Sequence, residues 1–157
     1  MDPIKISILI AEIEAQLARI TSSYQTVEAR AALLETEQIA AVEALAYQIH
    51  NFYNACEDLM KLVATTFENH VTDRQSWHRG LVQRMSLTIA GVRPALISDA
   101  TLPHLDQLRA FRHFFRHAYA TSIHIPRLML VLDDTRAVLP LLQRDVDNFT
   151  THLRTLL

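Results

Sequence analysis

Residues 37–67, EQIAAVEALAYQIHNFYNACEDLMKLVATTF, place Val42, Leu45, Ile49, Phe52, Tyr53, Cys56, Leu59, Met60 and Val63 three or four positions apart. That interval is the repeat of an α-helix burying one face, so the stretch predicts a single amphipathic helix from Glu37 to Phe67, longer than the usual globular helix. Upstream, from Ile4 to about Ala32, the residues Ile6, Leu9, Ile10, Ile13, Leu17, Ile20, Tyr24 and Val27 repeat the spacing and predict another long helix. The two should form an antiparallel pair. Downstream, Glu68 to Ser76 is polar and aperiodic and reads as a connection. Leu81, Met85 and Ile89 then predict a shorter third helix from Trp77 to Ala90, ended by Gly91 and Pro94. Ser98 and Asp99 offer capping oxygens to a fourth, Thr101 to Thr121, which tolerates Pro103 in its first turn. A last helical stretch, Pro126 to Leu157, contains Pro140, whose missing N–H is expected to kink or split it near Arg136.

Only two glycines and five prolines occur among 157 residues, half of which are apolar. So few turn residues exclude a many-stranded β-protein, and so much apolar surface excludes a disordered chain. The expected fold class is all-α, an antiparallel helical bundle of about five helices. One domain over residues 1–157 is expected, because no repeat, low-complexity segment or linker divides the chain. Cys56, the single cysteine, lies in the helical apolar pattern and reads as core. Without an internal partner it points to a reducing, cytoplasmic compartment. Glu12 and Glu14 interrupt the apolar N-terminal stretch, which reads as helix rather than signal sequence, and no run reaches the ~20 apolar residues of a membrane span. The net charge of −2 gives no overall pull toward nucleic acid or anionic lipid, so any such contact has to be local.

The local concentration is LRAFRHFFRHAYA, Leu108 to Ala120, with three arginines, two histidines and a tyrosine. Thr101 to Thr121 carries Arg109, Arg112 and Arg116 against Asp106 alone, a charge of +2 that leaves the rest of the chain at −4. At ~100° per residue, Arg109, Arg112, Arg116 and Tyr119 form one stripe, while Leu108, Phe111, Phe115 and Ala118 form the side turned to the core. The stripe is expected to face solvent or a phosphate. His113 and His117 fall on the flank, His117 about 140° from Arg112, so a twofold pairing of copies would let the histidine of one approach a phosphate held by the arginine of the other. Cleaving RNA without a metal needs a base for the 2′-OH, an acid for the leaving oxygen and cations for the charged phosphorane. Histidine titrates near neutrality and guanidinium binds phosphate oxygens through a planar fork, so these residue types suit that reaction.

Arg112, four residues, His117, Ala118 and Tyr119 reproduce the R-x4-H-x-Y motif, and the chain resembles HepT-like ribonuclease toxins of the HEPN superfamily. HNFYNACEDLMK (residues 50–61) and WHRGLVQRM (residues 77–85) are similar to the same proteins. The resemblance implies a helical bundle that dimerises with its motif helices facing each other. It implies a metal-independent endoribonuclease acting on cellular RNA such as tRNA, with Arg112 and His117 catalytic. Its implied partner is an MNT-type nucleotidyltransferase antitoxin that silences the toxin by attaching AMP to Tyr119. Arg109, His113 and Arg116 are candidate phosphate contacts; His113 stands where the family often has Asn or Asp.

Other readings compete. A helical module that only binds a nucleotidyltransferase or nucleotide would need the same charge without turnover. His113 and His117, four apart, have the spacing of a metal clamp, to which His50, His70 and His78 could add ligands. The neighbouring arginines would repel a divalent cation, and no HExxH accompanies them, so no metal and no cofactor is expected. Trp77, His78 and Arg79 could stack a base or hold a phosphate, yet a tryptophan at a helix start is more often a packing anchor. Glu57 and Asp58 could position a motif side chain, although acids on a long helix usually face water; they stay unassigned. His50, His104, His124 and His152 read as surface or satisfied polar residues.

Overall fold

Asp2 takes the hydrogen bond of the Ile4 N–H at 3.0 Å and Pro3 follows it, so the chain enters α1 (Pro3–Ala31) with one of its orphan amides capped. The computed structural model describes residues 2–34, 38–68, 74–117 and 123–157, with the backbone alone for 74–79. After α1 come α2 (Ile39–Phe67), α3 (Arg74–Met85), α4 (Leu102–His117) and α5 (Ile125–Arg154). The described residues contain no strand, only an isolated bridge between Ile89 and Arg93. The fold is an all-α bundle, as the periodicity predicts. No helix among the described residues is long and apolar enough to cross a membrane.

Cross-helix contacts give the directions. Gln16 bonds the Ala55 carbonyl and Tyr24 meets the ring of Phe52, so α1 and α2 run antiparallel. Glu28 pairs with Arg136 and Glu14 with Arg154, which sets α5 antiparallel to α1. His104 meets Asp134 while Arg127 lies over Phe114, which does the same for α4 and α5. The centre is α2, which packs against each of the other four helices and fully buries Leu45, Ile49, Phe52, Leu59, Met60 and Val63. Each such side chain contributes about 1.5–3 kcal/mol, against roughly 0–1 kcal/mol for exposed ion pairs such as Glu14 with Arg154, so apolar packing holds the bundle. Cys56 lies in this core, as expected, and burial pushes its thiol well above the ordinary range, leaving it protonated and inert.

Two expectations need correction. The third helix ends at Met85 rather than Ala90, because residues 86–97 turn back on its end: Met85 O receives the Leu96 and Ile97 amides at 2.8 and 3.2 Å, and Gly91 turns with φ +73°. Arg93 anchors this turn. Its fully buried guanidinium donates to Glu68 and to the carbonyls of Arg84, Leu87 and Pro94 at 2.6–3.1 Å, and Arg84 also pairs with Glu68. Arg74 to Ser76, expected in a connection, already belong to α3. The second concerns α5: of the kink or split expected near Arg136, the split does not occur, and the helix runs unbroken through Pro140. Pro140 and Arg136 are both exposed, so the carbonyl that loses its donor lies on a face open to water.

Asp145, buried on α5, fixes the entry to α4. It accepts from the Ser98 amide at 2.9 Å, the Ser98 hydroxyl at 3.0 Å and the Thr101 hydroxyl. The end of α4 is described as far as His117; the expected continuation through Thr121, with Tyr119, lies outside the described residues.

Candidate functional site in the seam between α2 and α4

The buried face of α4 is Leu105, Leu108 and Phe111, with Phe114 and Phe115 half-buried against the core. This choice of face turns Arg112 toward α2. Arg112 Nη1 donates to Glu57 Oε2 at 3.0 Å, its guanidinium lies 5.8 Å from the centre of the Tyr53 ring, and only 21% of its side chain is exposed. The expectation that Arg112 faces solvent or ligand outright is therefore corrected. One edge of its planar fork is held by a buried carboxylate, and its Nε is a buried donor without a partner.

Glu57, with 3% of its side chain exposed, also pairs with Lys61, whereas Asp58 is exposed. Tyr53 is buried beside this ion pair. Burial first, and then the Glu57 charge, holds its phenol well above the ordinary range against Arg112 and Arg109, so it is a neutral platform. His50 lies one turn further along α2. Its ring packs against Phe115 at 5.3 Å, and its Nε2 receives the Asn54 Nδ2 hydrogen bond at 3.1 Å. Burial first, and then the positive charges of Arg112 and Arg116, push the His50 imidazole below its ordinary value, with Glu57 opposing. Of the two readings of His50, a surface or a satisfied polar residue, the first is corrected, and the second holds at Nε2 but not at Nδ1.

The other motif residues are less enclosed. His117 is exposed; its Nδ1 donates to the His113 carbonyl at 2.8 Å, which leaves Nε2 for another partner, and the two histidine rings lie tilted to each other with centres 4.5 Å apart. Among the described residues no hydrogen bond or ring contact joins His117 to Arg112, in keeping with their angular separation on the helix. Arg109 pairs with Asp106 at 2.8 Å, and Arg116 is exposed with no ion-pair partner among the described residues. No group of three or more potential metal ligands occurs among the described residues. The side chains of Trp77, His78 and Arg79 lie outside what is described.

The seam thus joins Arg112 and Arg116 of α4 to His50, Tyr53, Asn54 and Glu57 of α2. The contribution of α2 is the part that motif spacing misses. Its trace in the sequence is His50, Asn54, Glu57 and Lys61, spaced four, three and four apart, a polar row beside an otherwise apolar helix face.

No curated protein and no solved structure matches the chain. A family model described as HepT-like protein matches residues 44–153, which take in the polar row of α2, all of α3 and α4, and nearly all of α5. The chain belongs to the HepT-like family.

Proposed function

We propose that this chain is a metal-independent endoribonuclease, the toxin of a HEPN/MNT toxin–antitoxin pair, with Arg112 and His117 as its catalytic residues. The observation that carries this reading is the preorganisation of Arg112, half-buried and oriented by Glu57, on the helix that also presents His117 Nε2. Arg112 binds the scissile phosphate and the more highly charged phosphorane; a cation fixed before the charge develops needs no reorganisation as the reaction proceeds. His117 handles the proton. The 2′-oxygen attacks phosphorus as His117 takes its proton, the bond to the 5′-oxygen breaks as His117 returns a proton to that oxygen, and a 2′,3′-cyclic phosphate and a 5′-hydroxyl result. Arg116 and His113, exposed beside it, extend the phosphate contact; Arg109 contributes less, since Asp106 already occupies it.

Purified protein incubated with cellular RNA in EDTA should yield products, and Arg112→Ala or His117→Ala should abolish them while the circular dichroism spectrum is unchanged. Wild-type cutting by either variant would overturn the assignment. A second reading, a module that binds RNA or a nucleotidyltransferase without turnover, draws support from the internal pairing of Arg109 and Arg112. Stable RNA binding without products in the same assay selects it.

Control is proposed to act through Tyr119, three residues beyond Arg116 in the sequence. AMP attached there would bring an anion and a bulky nucleoside to the arginines and block the substrate site. Tyr119→Phe should keep most ribonuclease activity yet gain no mass when incubated with an MNT-type antitoxin and ATP, whereas wild type gains AMP units. Equal modification of both proteins places the acceptor elsewhere.

A further inference from the structure

Three polar atoms at the α2–α4 seam are buried and have no hydrogen-bond partner among the described residues: His50 Nδ1, Asn54 Oδ1 and Arg112 Nε. Their chemistry follows from their neighbours. Asn54 Nδ2 can only donate, so His50 Nε2 accepts, and the single proton of the neutral imidazole sits on Nδ1. Burial and the charges of Arg112 and Arg116 keep that imidazole neutral near neutral pH, against Glu57. His50 therefore carries an N–H donor without an acceptor, as does Arg112 at Nε, and both stand close to the positive charge of two guanidinium groups. Asn54 Oδ1 adds an acceptor without a donor. Two donors and a positive field call for anionic oxygens, and one acceptor beside them suits a hydroxyl. A ribose phosphate has both.

We propose that His50, oriented by Asn54, donates a hydrogen bond from Nδ1 to the phosphate of bound RNA, opposite Arg112 and from the α2 side of the seam. This rests on the endoribonuclease reading and adds to it a residue outside the R-x4-H-x-Y motif. His50 acts as a neutral donor: it gives up no proton, and proton transfer stays with His117. The division fits the geometry, because His117 is exposed with Nε2 free while His50 has its Nε2 engaged.

The test uses two substitutions with opposite expectations. His50→Phe keeps an aromatic ring against Phe115 but removes the donor. His50→Asn gives up the ring but places an amide N–H close to the position of Nδ1. H50F should lower kcat on the order of a hundredfold, as loss of one preorganised donor does, and H50N should stay within about tenfold of wild type. A packing role produces the reverse order, and a proton-transfer role leaves both variants equally impaired; either result overturns the proposal, as does an H50F with wild-type kcat. If circular dichroism shows H50F unfolded, H50L takes its place. If wild type makes no products, the endoribonuclease reading fails separately, and a 2′-O-methyl RNA oligonucleotide, which cannot be cleaved, then decides the inference. Binding weakened in H50F and retained in H50N sustains the phosphate contact, and equal binding by both overturns it.

Discussion

The pairing of Arg112 with Glu57 ties the proposed reactivity to a residue about three turns from the C-terminal end of a different helix. A guanidinium on a flexible stem samples many positions, and the buried carboxylate selects one of them before substrate arrives. Glu57→Gln preserves shape and removes the charge, so kcat should fall on the order of tenfold while KM changes little, since a misoriented guanidinium still meets the phosphate but no longer matches the phosphorane. Steady-state kinetics on a short RNA checks the split, and an unchanged kcat would remove Glu57 from the site. His50 supplies a pH test with a definite sign. Its imidazole is held below the ordinary 6.5, by burial first and then by Arg112 and Arg116. Between that lowered value and 6.5 the unfolded chain binds a proton that the folded one refuses. The His50 contribution is therefore intact above 6.5, is lost as pH falls through the folded value, and is level below it. Urea midpoints across this window should decline toward acid more steeply for wild type than for H50N.

At the scale of elements, α5 stays unbroken where a split was one of the two expected outcomes, and the reason is which way Pro140 points. A proline inside a helix frees the carbonyl four residues earlier, and here both Pro140 and Arg136 face outward, where water takes the bond. Pro140→Ala restores the N–H without disturbing the core and should raise stability by as much as about 3 kcal/mol, read as a higher urea midpoint at constant slope. A lower midpoint would mean that α5 needs the bend. The early end of α3 has a similar cause: the donors of Arg93 find acceptors only when residues 86–97 fold back toward Glu68 at the end of α2.

For the whole molecule, the separation of the proposed catalytic pair on one helix favours a site shared between two copies. Phe111 is committed to the core of its own chain, leaving the half-buried Phe114 and Phe115 and the exposed Ile125, Met129 and Leu130 for a twofold contact. If the arginine of one chain works with the histidine of the other, R112A and H117A, each inactive alone, form mixed dimers with one intact site. Random assembly then restores about a quarter of wild-type activity. Mixing after brief denaturation and refolding tests this, and no restoration indicates a site within one chain.

Periodicity alone made the all-α bundle, the long α1 and α2 and the core position of Cys56 legible, because burying one helix face leaves a repeat that needs no knowledge of neighbours. The charge concentrated between Arg109 and His117 was legible for the same reason, since side chains one turn apart share a surface. The polar partners of that charge were not. Glu57 and His50 resemble residues of a solvated flank until α4 packs across them, and the same antiparallel packing separates buried Glu57 from exposed Asp58. The end of α3 and the continuity of α5 likewise depended on what lay opposite: an acceptor set for Arg93, and water beside Pro140. Local spacing fixes which face of a helix is apolar, but the partner of a polar group at the edge of that face is set by long-range packing, and only the tertiary structure supplies it.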